Sequence, residues 1–257
     1  MEHSLNIFRA LETELERRQR CALVTVIGAQ GSTPRKEGSR MIVGKSGLLE
    51  GTIGGGTFEY QVIKAAIPLL AKGGFHRLQF HLTRDLAQCC GGAMEVSVEV
   101  FVPARRLVIF GAGHVALELS KVCTPLGFDL HVVDDREDWA NKKRFPEGSL
   151  HDDFMVFKRG SLQLETDDLC IVMTAEHATD QQIVEALLAT TEVRYIGLMG
   201  SATKVAKFHQ RLKARGISAS ALKRLHAPVG LDIHAETPYE IALSIASELV
   251  AVTRKPL

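Results

Sequence analysis

The sequence lacks any long uninterrupted apolar stretch and any excess of one charge. Its apolar runs are broken by glycine or by charge well before the ~20 residues that span a bilayer. The 257 residues carry 31 Lys and Arg against 30 Asp and Glu. This balance excludes an ordinary basic nucleic-acid-binding surface and a disordered polyelectrolyte. The first residues also lack the apolar segment of a secretory signal. We therefore expect a cytoplasmic protein with no membrane insertion and no nucleic-acid partner.

Cysteine is scarce, and its spacing excludes two common uses. Five residues, an odd number, do not indicate a disulfide framework. Cys21, Cys123 and Cys170 lie in apolar patterns and are predicted to be buried. Cys89 and Cys90 lie before two glycines that would leave the thiols open, but adjacent cysteines lack the C-x-x-C spacing of zinc and redox motifs. A thiolate at this loop would suit a soft metal or sulfur.

The hydropathy pattern changes near Pro103, which predicts two domains. Residues 1–103 combine an amphipathic opening helix with alternating strands and hairpins, which is typical of a mixed α+β domain. Residues 104–257 alternate strand and helix, which predicts a Rossmann-like, doubly wound parallel sheet. The apolar strand candidates there are Leu107 to Phe110, Asp129 to Val133, Leu169 to Met173 and Tyr195 to Leu198. The last helix is predicted to begin with a capping box formed by Thr237 and Glu240.

A glycine turn follows the first of these strands. Gly111-Ala-Gly113-His-Val-Ala116 fits the G-x-G-x-x-G/A pattern, in which glycines let a phosphate approach backbone N–H groups at a helix N-terminus. Asp134 ends the next strand and is placed to accept a hydrogen bond from a ribose 2′-hydroxyl, which would favour NAD over its 2′-phosphorylated form. The alternative is a turn that only packs helix against strand, because a Rossmann scaffold does not fix function.

Glycine is concentrated in a second region, where nine of the 22 glycines fall between Gly28 and Gly56. The run Gly54-Gly55-Gly56 leads into a helix whose first turn contains Glu59. Consecutive N–H groups in such a run can hold an anion, and Arg35 or Arg40 could add a bidentate phosphate contact. The alternative is a set of hairpin turns followed by a helix start.

Histidines supply two further candidates. His114 lies in the glycine turn and His226 lies in a proline-marked loop, both at predicted strand ends, where open α/β sheets bind ligands. No histidine has the spacing of a metalloprotease motif, and no G-x-S-x-G elbow is present. The sequence therefore offers little support for a hydrolase.

Seven motifs follow one another along the chain: Gly31-Ser-Thr-Pro-Arg35, Gly51-Thr-Ile-Gly-Gly-Gly56, Gln88-Cys-Cys-Gly-Gly92, Gly111-Ala-Gly-His-Val115, Asp134-Asp-Arg136, Gly197-Leu-Met-Gly-Ser201 and His226-Ala-Pro-Val-Gly230. Taken together, they resemble the xanthine dehydrogenase accessory factor family (XdhC/CoxI). The resemblance spans nearly the whole chain and agrees with a two-domain plan. The variant loop Thr174-Ala-Glu-His177 departs from the family pattern and leaves His177 in doubt as a site residue.

The resemblance implies a maturation factor rather than an enzyme with its own small substrate. Such a factor binds the molybdenum cofactor (molybdopterin), holds it while a cysteine desulfurase supplies sulfur, and delivers it to a xanthine dehydrogenase-type molybdenum hydroxylase. The family motif places the cofactor ligand, to molybdenum or sulfur, at Cys90, with Cys89 as its variable neighbour. We also expect a homo-oligomer. An NAD(P)-dependent oxidoreductase and a purely structural interaction module remain as alternatives.

Overall fold

The computed structural model describes residues 2–82 and 92–254. The chain divides into two compact units, Met1–Ala104 (unit 1) and Arg105–Leu257 (unit 2). Unit 1 contains an antiparallel sheet and unit 2 a parallel one, so the predicted fold class is confirmed. Within the described ranges, no helix is long and apolar enough to cross a membrane.

Unit 1 is a five-stranded sheet in the order β3-β2-β1-β5-β4, with helices on both faces. The alternation of side chains along β1 decides which face each residue meets. Val24 packs with Phe58 of α2, whereas Cys21 packs with Ile7 of α1. The elements are α1 (Glu2–Glu16), β1 (Cys21–Gln30), β2 (Arg40–Gly44), β3 (Gly47–Gly51), α2 (Gly56–Ala66), α3 (Leu69–Lys72), β4 (Gly74–His81) and β5 (Ala93–Phe101).

Unit 2 is a six-stranded parallel sheet in the order β8-β7-β6-β9-β10-β11. The strand order reverses between β6 and β9, and the crevice at that point is where open α/β sheets bind ligands. The elements are β6 (Arg106–Phe110), α4 (His114–Cys123), β7 (Asp129–Val133), β8 (Ser149–His151), β9 (Leu169–Val172), α5 (His177–Thr190), β10 (Tyr195–Leu198), α6 (Ala202–Ala214), α7 (Ala219–Leu222), β11 (Leu225–His226) and α8 (Pro238–Arg254).

The central strands of unit 2 are buried along their whole length, as continuous apolar runs predict for a sheet covered on both faces. The predicted capping box of α8 is confirmed, since Glu240 Oε2 accepts from Thr237 N at 2.8 Å and Glu240 N donates to Thr237 Oγ1 at 3.3 Å. These paired contacts satisfy backbone donors at the start of α8.

The three cysteines predicted to be buried are buried and free. Burial, with a smaller contribution from Glu14, raises the pKa of Cys21 to about 11, and burial raises the pKa of Cys123 to about 12. Burial also raises the pKa of Cys170. Because the thiolate is the reactive form, these residues have a structural role.

Two differences from the predicted elements have local causes. The spacing of apolar residues from Phe58 to Leu70 predicts one helix, but the structure divides it into α2 and α3 around Pro68, which has no backbone N–H to donate. The short strands β8 and β11 were not predicted, because two or three residues are too few to show a periodic pattern.

Candidate functional site

The glycine turn of unit 2 places its two glycines under different constraints. Gly111 has φ +109°, and a β-carbon added there would lie 2.4 Å from the carbonyl oxygen of Met173. Only glycine fits at this position. Gly113, the N-cap of α4, has φ −65°, and an added β-carbon would meet nothing within 4 Å. Packing does not require glycine at 113, so its lack of a side chain leaves the N-terminus of α4 open to a ligand.

Two charged side chains clamp the residue between these glycines. The N–H of Ala112 donates to Asp134 Oδ2 at 2.7 Å, and its carbonyl accepts from Arg144 Nη1 at 2.9 Å. Asp134 and Arg144 both belong to the segment that follows β7, the strand next to β6 in the sheet. The turn is therefore held in shape by the protein's own groups, which lowers the ordering cost of binding a ligand.

Asp134 has no acceptor position left for a ribose. Arg136 donates to it bidentately, with Nε to Oδ1 and Nη2 to Oδ2 both at 2.7 Å. The Arg136 N–H donates to Oδ1 at 3.1 Å, in addition to the Ala112 contact on Oδ2. A carboxylate offers about four lone-pair positions, and all are engaged. Burial would raise the pKa of Asp134, but these hydrogen bonds and the Arg136 charge hold it below its usual value.

Cationic and aromatic side chains surround the turn. Arg136 and Arg144 lie 5.0 and 4.7 Å from the centroid of the Trp139 ring, which is a cation–π distance. His114, the first residue of α4, is exposed and meets the same ring edge to face at 5.3 Å. The cluster places two guanidinium groups beside the turn, where they can contact an anionic ligand.

A cleft of about 220 Å³ opens beside this cluster. It is formed by the segments that follow β7 and β9, the two strands that flank β6. The cleft therefore lies at the strand-order reversal, on the edge where the glycine turn ends β6. Its lining includes Asp135, Arg136, Phe154, Thr174, Glu176 and Thr179.

A buried ion pair that the sequence did not suggest supports the far wall of the cleft. Asp180 Oδ1 accepts from both the backbone N and the hydroxyl of Thr174, at 2.9 and 2.7 Å. Lys204 Nζ donates to Asp180 Oδ2 at 2.8 Å. His177, left in doubt by the sequence, is largely exposed and 3.9 Å from the same carboxylate. The Asp180–Lys204 pair positions Thr174, and a separation of 24 residues hides it from any local motif.

His226 has neighbours that indicate a packing role. Its ring stacks on Tyr195 at 4.3 Å between centroids, and Nδ1 lies 3.4 Å from Glu248 Oε1 in α8. Burial would raise the pKa of Glu248, but contacts from His226, the Gly230 N–H and Tyr195 lower it. These contacts join β11 to α8, so this cluster explains His226 without a ligand.

In unit 1, three glycine-containing segments come together. A β-carbon added at Gly54 would lie 2.9 Å from Pro34 Cβ and 3.3 Å from Arg35 Cγ. One added at Gly92 would lie 2.5 Å from the carbonyl oxygen of Gln30. The start of α2, the loop after β1 and the residue before β5 are therefore in contact. Of the two arginines considered from the sequence, Arg35 lies beside Gly54, while Arg40 lies exposed in β2.

Glu59 occupies part of the anion-binding loop that the sequence predicted. Its Oε2 accepts from Thr52 Oγ1 at 2.5 Å, Ile53 N at 2.9 Å and Gly55 N at 3.1 Å. Burial would raise the pKa of Glu59, but these hydrogen bonds lower it. The donors left for an external anion are those of the first turn of α2, where Gly55 is an N-cap without a side chain.

Cys89 and Cys90 lie outside the described residues. The residues that flank this segment are described, and Leu82 N donates to the carbonyl oxygen of Gly92 at 2.9 Å. Gly92 in turn contacts the loop after β1. The two described residues on either side of this segment are therefore in contact with each other, and Gly92 lies beside the loop after β1. Among residues 2–82 and 92–254, no group of three or more His, Cys, Asp or Glu side chains is arranged to hold a metal ion.

Comparison with known families assigns both parts of the chain. A family model described as the XdhC Rossmann domain matches residues 107–249, and a model of the XdhC and CoxI family matches residues 14–81. The chain belongs to the XdhC/CoxI family. The resemblance inferred from the seven motifs is thus confirmed, and each match falls within one of the two compact units.

This XdhC family member is also similar to individual proteins along much of its length. The chain is 34% identical to the uncharacterized protein YqeB of Escherichia coli (strain K12), covering 96% of this chain and 46% of the relative. It is 33% identical to a probable xanthine dehydrogenase subunit of Bacillus subtilis (strain 168), covering 60% and 44%. The chain thus spans less than half the length of either curated relative. A crystal structure of a xanthine dehydrogenase from Bacillus halodurans shares the fold, with a TM-score of 0.54, 24% identity and 96% coverage of both chains.

Proposed function

We propose that this chain is an accessory factor for a xanthine dehydrogenase-type molybdenum hydroxylase. It holds the molybdenum cofactor while a cysteine desulfurase supplies the terminal sulfur, and it then delivers the cofactor to the hydroxylase. Family membership and the name of the Bacillus subtilis relative support the accessory role. The observation that carries the cofactor-holding role is the meeting of three glycine segments with Arg35 in unit 1.

The residues of unit 1 fit the anionic end of the cofactor. Gly55 and Gly56 have φ of +73° and +63°, and β-carbons added there would meet nothing within 4 Å. The start of α2 therefore has backbone donors and open space, and the exposed Arg35 side chain lies beside it. A pterin phosphate would be held by the first-turn amides and by Arg35. The family resemblance assigns to Cys90 the contact with the molybdenum or sulfur of the cofactor.

Glu59 orders the loop before α2 and does not serve as a ligand-binding charge. Its carboxylate joins Thr52, Ile53 and Gly55 in one hydrogen-bonded loop. The loop is thereby ordered before a cofactor binds, and the hydrogen bonds stabilise the carboxylate charge. We propose that Glu59 is a positioning residue for the α2 N-terminus and that it does not contact the cofactor.

Unit 2 supplies a nucleotide site in this proposal. The open Gly113 position, the N-terminus of α4 and the adjacent cleft support a phosphate-containing ligand with a nucleoside beside it. Nucleotide binding also favours the second candidate, an NAD(P)-dependent oxidoreductase. Hydride transfer from a reduced nicotinamide, without any client hydroxylase, would support that candidate and contradict a pure maturation role.

Activation of an apo-hydroxylase tests the proposal. Cofactor-loaded chain is mixed with cofactor-free xanthine dehydrogenase-type enzyme, and hydroxylase activity is followed with and without a cysteine desulfurase and cysteine. We expect activation that depends on the chain and on the sulfur source, weakened in Arg35→Ala. Arg77→Ala is the matched control, because Arg77 is an equally exposed arginine in β4 of the same unit. Equal activation by free cofactor alone would contradict the proposed role.

A further inference from the structure

Asp134, the residue expected to distinguish a free ribose 2′-hydroxyl from a 2′-phosphate, is already paired with an arginine in unit 2. In dinucleotide sites an Asp or Glu at the end of the second strand binds the ribose 2′-hydroxyl and repels a 2′-phosphate. Asp134 stands at that position but is buried, and its oxygens are engaged by Arg136 and Ala112. Its charge is thus balanced by a guanidinium that is itself more exposed.

Arg136 is oriented to bind an anion in the cleft. Its Nε and one proton of Nη2 are used on Asp134, and its plane lies near the Trp139 ring. The outer edge, with Nη1, carries N–H groups with no hydrogen-bond partner among the residues that the structure describes. The side chain is 39% exposed and lines the cleft. A guanidinium held on two sides loses little conformational entropy when it binds a phosphate.

Two carboxylates also line the cleft and would repel a phosphate bound to Arg136. Asp135 and Glu176 are both exposed, so water and salt screen their repulsion of a phosphate. They are also the acceptors available to an unphosphorylated ribose. Arg136 offsets this repulsion, because its unused N–H groups can make short, charge-assisted hydrogen bonds to a phosphate.

We infer that unit 2 selects a nucleotide that carries a phosphate on its ribose, and that Arg136 is the specificity-determining residue. The inference rests on the nucleotide-binding role proposed for the glycine turn. It reverses the preference that Asp134 suggested in the sequence, because Asp134 acts here as the anchor of Arg136 instead of as the ribose acceptor.

Calorimetric titration of the whole chain with NAD and with NADP tests the inference. We expect NADP to bind at least about tenfold more tightly than NAD, with an advantage that shrinks as salt is raised. Equal affinity, or tighter NAD binding, overturns the inference and leaves the nucleotide-binding role intact. If neither binds, the nucleotide-binding role itself fails, so the two failures are distinguishable.

Substitution of Arg136 makes a sharper second test. Arg136→Ala should weaken NADP binding at least about tenfold and leave NAD binding unchanged or tighter, because Asp134 regains free acceptor positions. Arg215→Ala is the control, since Arg215 pairs with Glu185 and neither residue lines the cleft. Should Arg136→Ala fail to fold, Arg136→Lys keeps the charge but loses the bidentate geometry and should give an intermediate NADP preference. An unchanged preference in a folded variant overturns the assignment.

Discussion

Alanine substitutions at the two glycines of the unit 2 turn should have opposite effects. At Gly111, a side chain requires φ +109° and a β-carbon 2.4 Å from the Met173 carbonyl oxygen. The backbone strain costs about 1–3 kcal/mol and the overpacking costs about 1–3 kcal/mol. Gly111→Ala should therefore lower the free energy of unfolding of unit 2 by about 2–6 kcal/mol.

Gly113 is the matched position without those costs. Its φ of −65° is open to alanine, and the added β-carbon meets nothing within 4 Å. At a compatible position Gly→Ala raises stability by about 0.4–1 kcal/mol through the unfolded state. Gly113→Ala should thus fold normally but bind nucleotide more weakly, because its methyl group projects into the space that a phosphate would enter.

Thermal unfolding followed by tryptophan fluorescence separates the two variants. Trp139 is the one tryptophan of the chain and lies beside the turn, so its signal reports on unit 2. A loss of about 4 kcal/mol corresponds to a fall in Tm of about 8–16 °C for a domain of this size. A wild-type Tm for Gly111→Ala would refute the close approach of the turn to Met173. Wild-type nucleotide affinity in Gly113→Ala would refute the phosphate site.

Three further predictions concern unit 1. The folded-state pKa of Glu59 is lowered, so the ionised carboxylate stabilises the folded state fully above the ordinary pKa of about 4.3, and this stabilisation is lost as the pH falls through the lowered pKa. Glu59→Gln should therefore lower the free energy of unfolding, measured in urea, by about 1 kcal/mol at pH 7. The variant should also lose less stability than the wild type when the pH is lowered. Arg35→Ala should weaken cofactor binding by about 1.5–3 kcal/mol with an unchanged Tm, whereas a lower Tm at unchanged affinity would make Arg35 a structural residue. Cys90→Ser should fold normally yet retain little pterin by fluorescence after oxidation, with a milder effect for Cys89→Ser; normal loading of Cys90→Ser would exclude the thiol as a ligand.

The sequence predicted the architecture well because it depends on patterns that are local. Apolar runs such as Leu107 to Phe110 are long enough to identify buried strands, and the following Gly111 and Gly113 identify the turn. The capping box at Thr237 is equally local, since both partners lie within four residues. The parallel order of the sheet follows from the alternation of strand and helix.

The roles of the acidic residues were less predictable from the sequence, because they depend on which carboxylate oxygens already accept hydrogen bonds from other parts of the protein. The sequence placed Asp134 at a strand end, but only the structure shows Arg136 and Ala112 on its oxygens. The same holds for Glu59, whose position in the first turn of a helix does not reveal that it binds the preceding loop. Both acids accept hydrogen bonds from neighbouring groups of the protein.

The central claim is that this chain carries the molybdenum cofactor, and the most direct measurement is the pterin content of the purified wild-type protein. The chain is produced in cells that make the cofactor, purified without added ligand, oxidised and assayed by pterin fluorescence against protein concentration. The account predicts a substantial molar fraction of pterin, with no pterin in protein from cells that cannot synthesise the cofactor. Pterin-free wild-type protein from cofactor-producing cells, which also takes up no added molybdopterin, would contradict it.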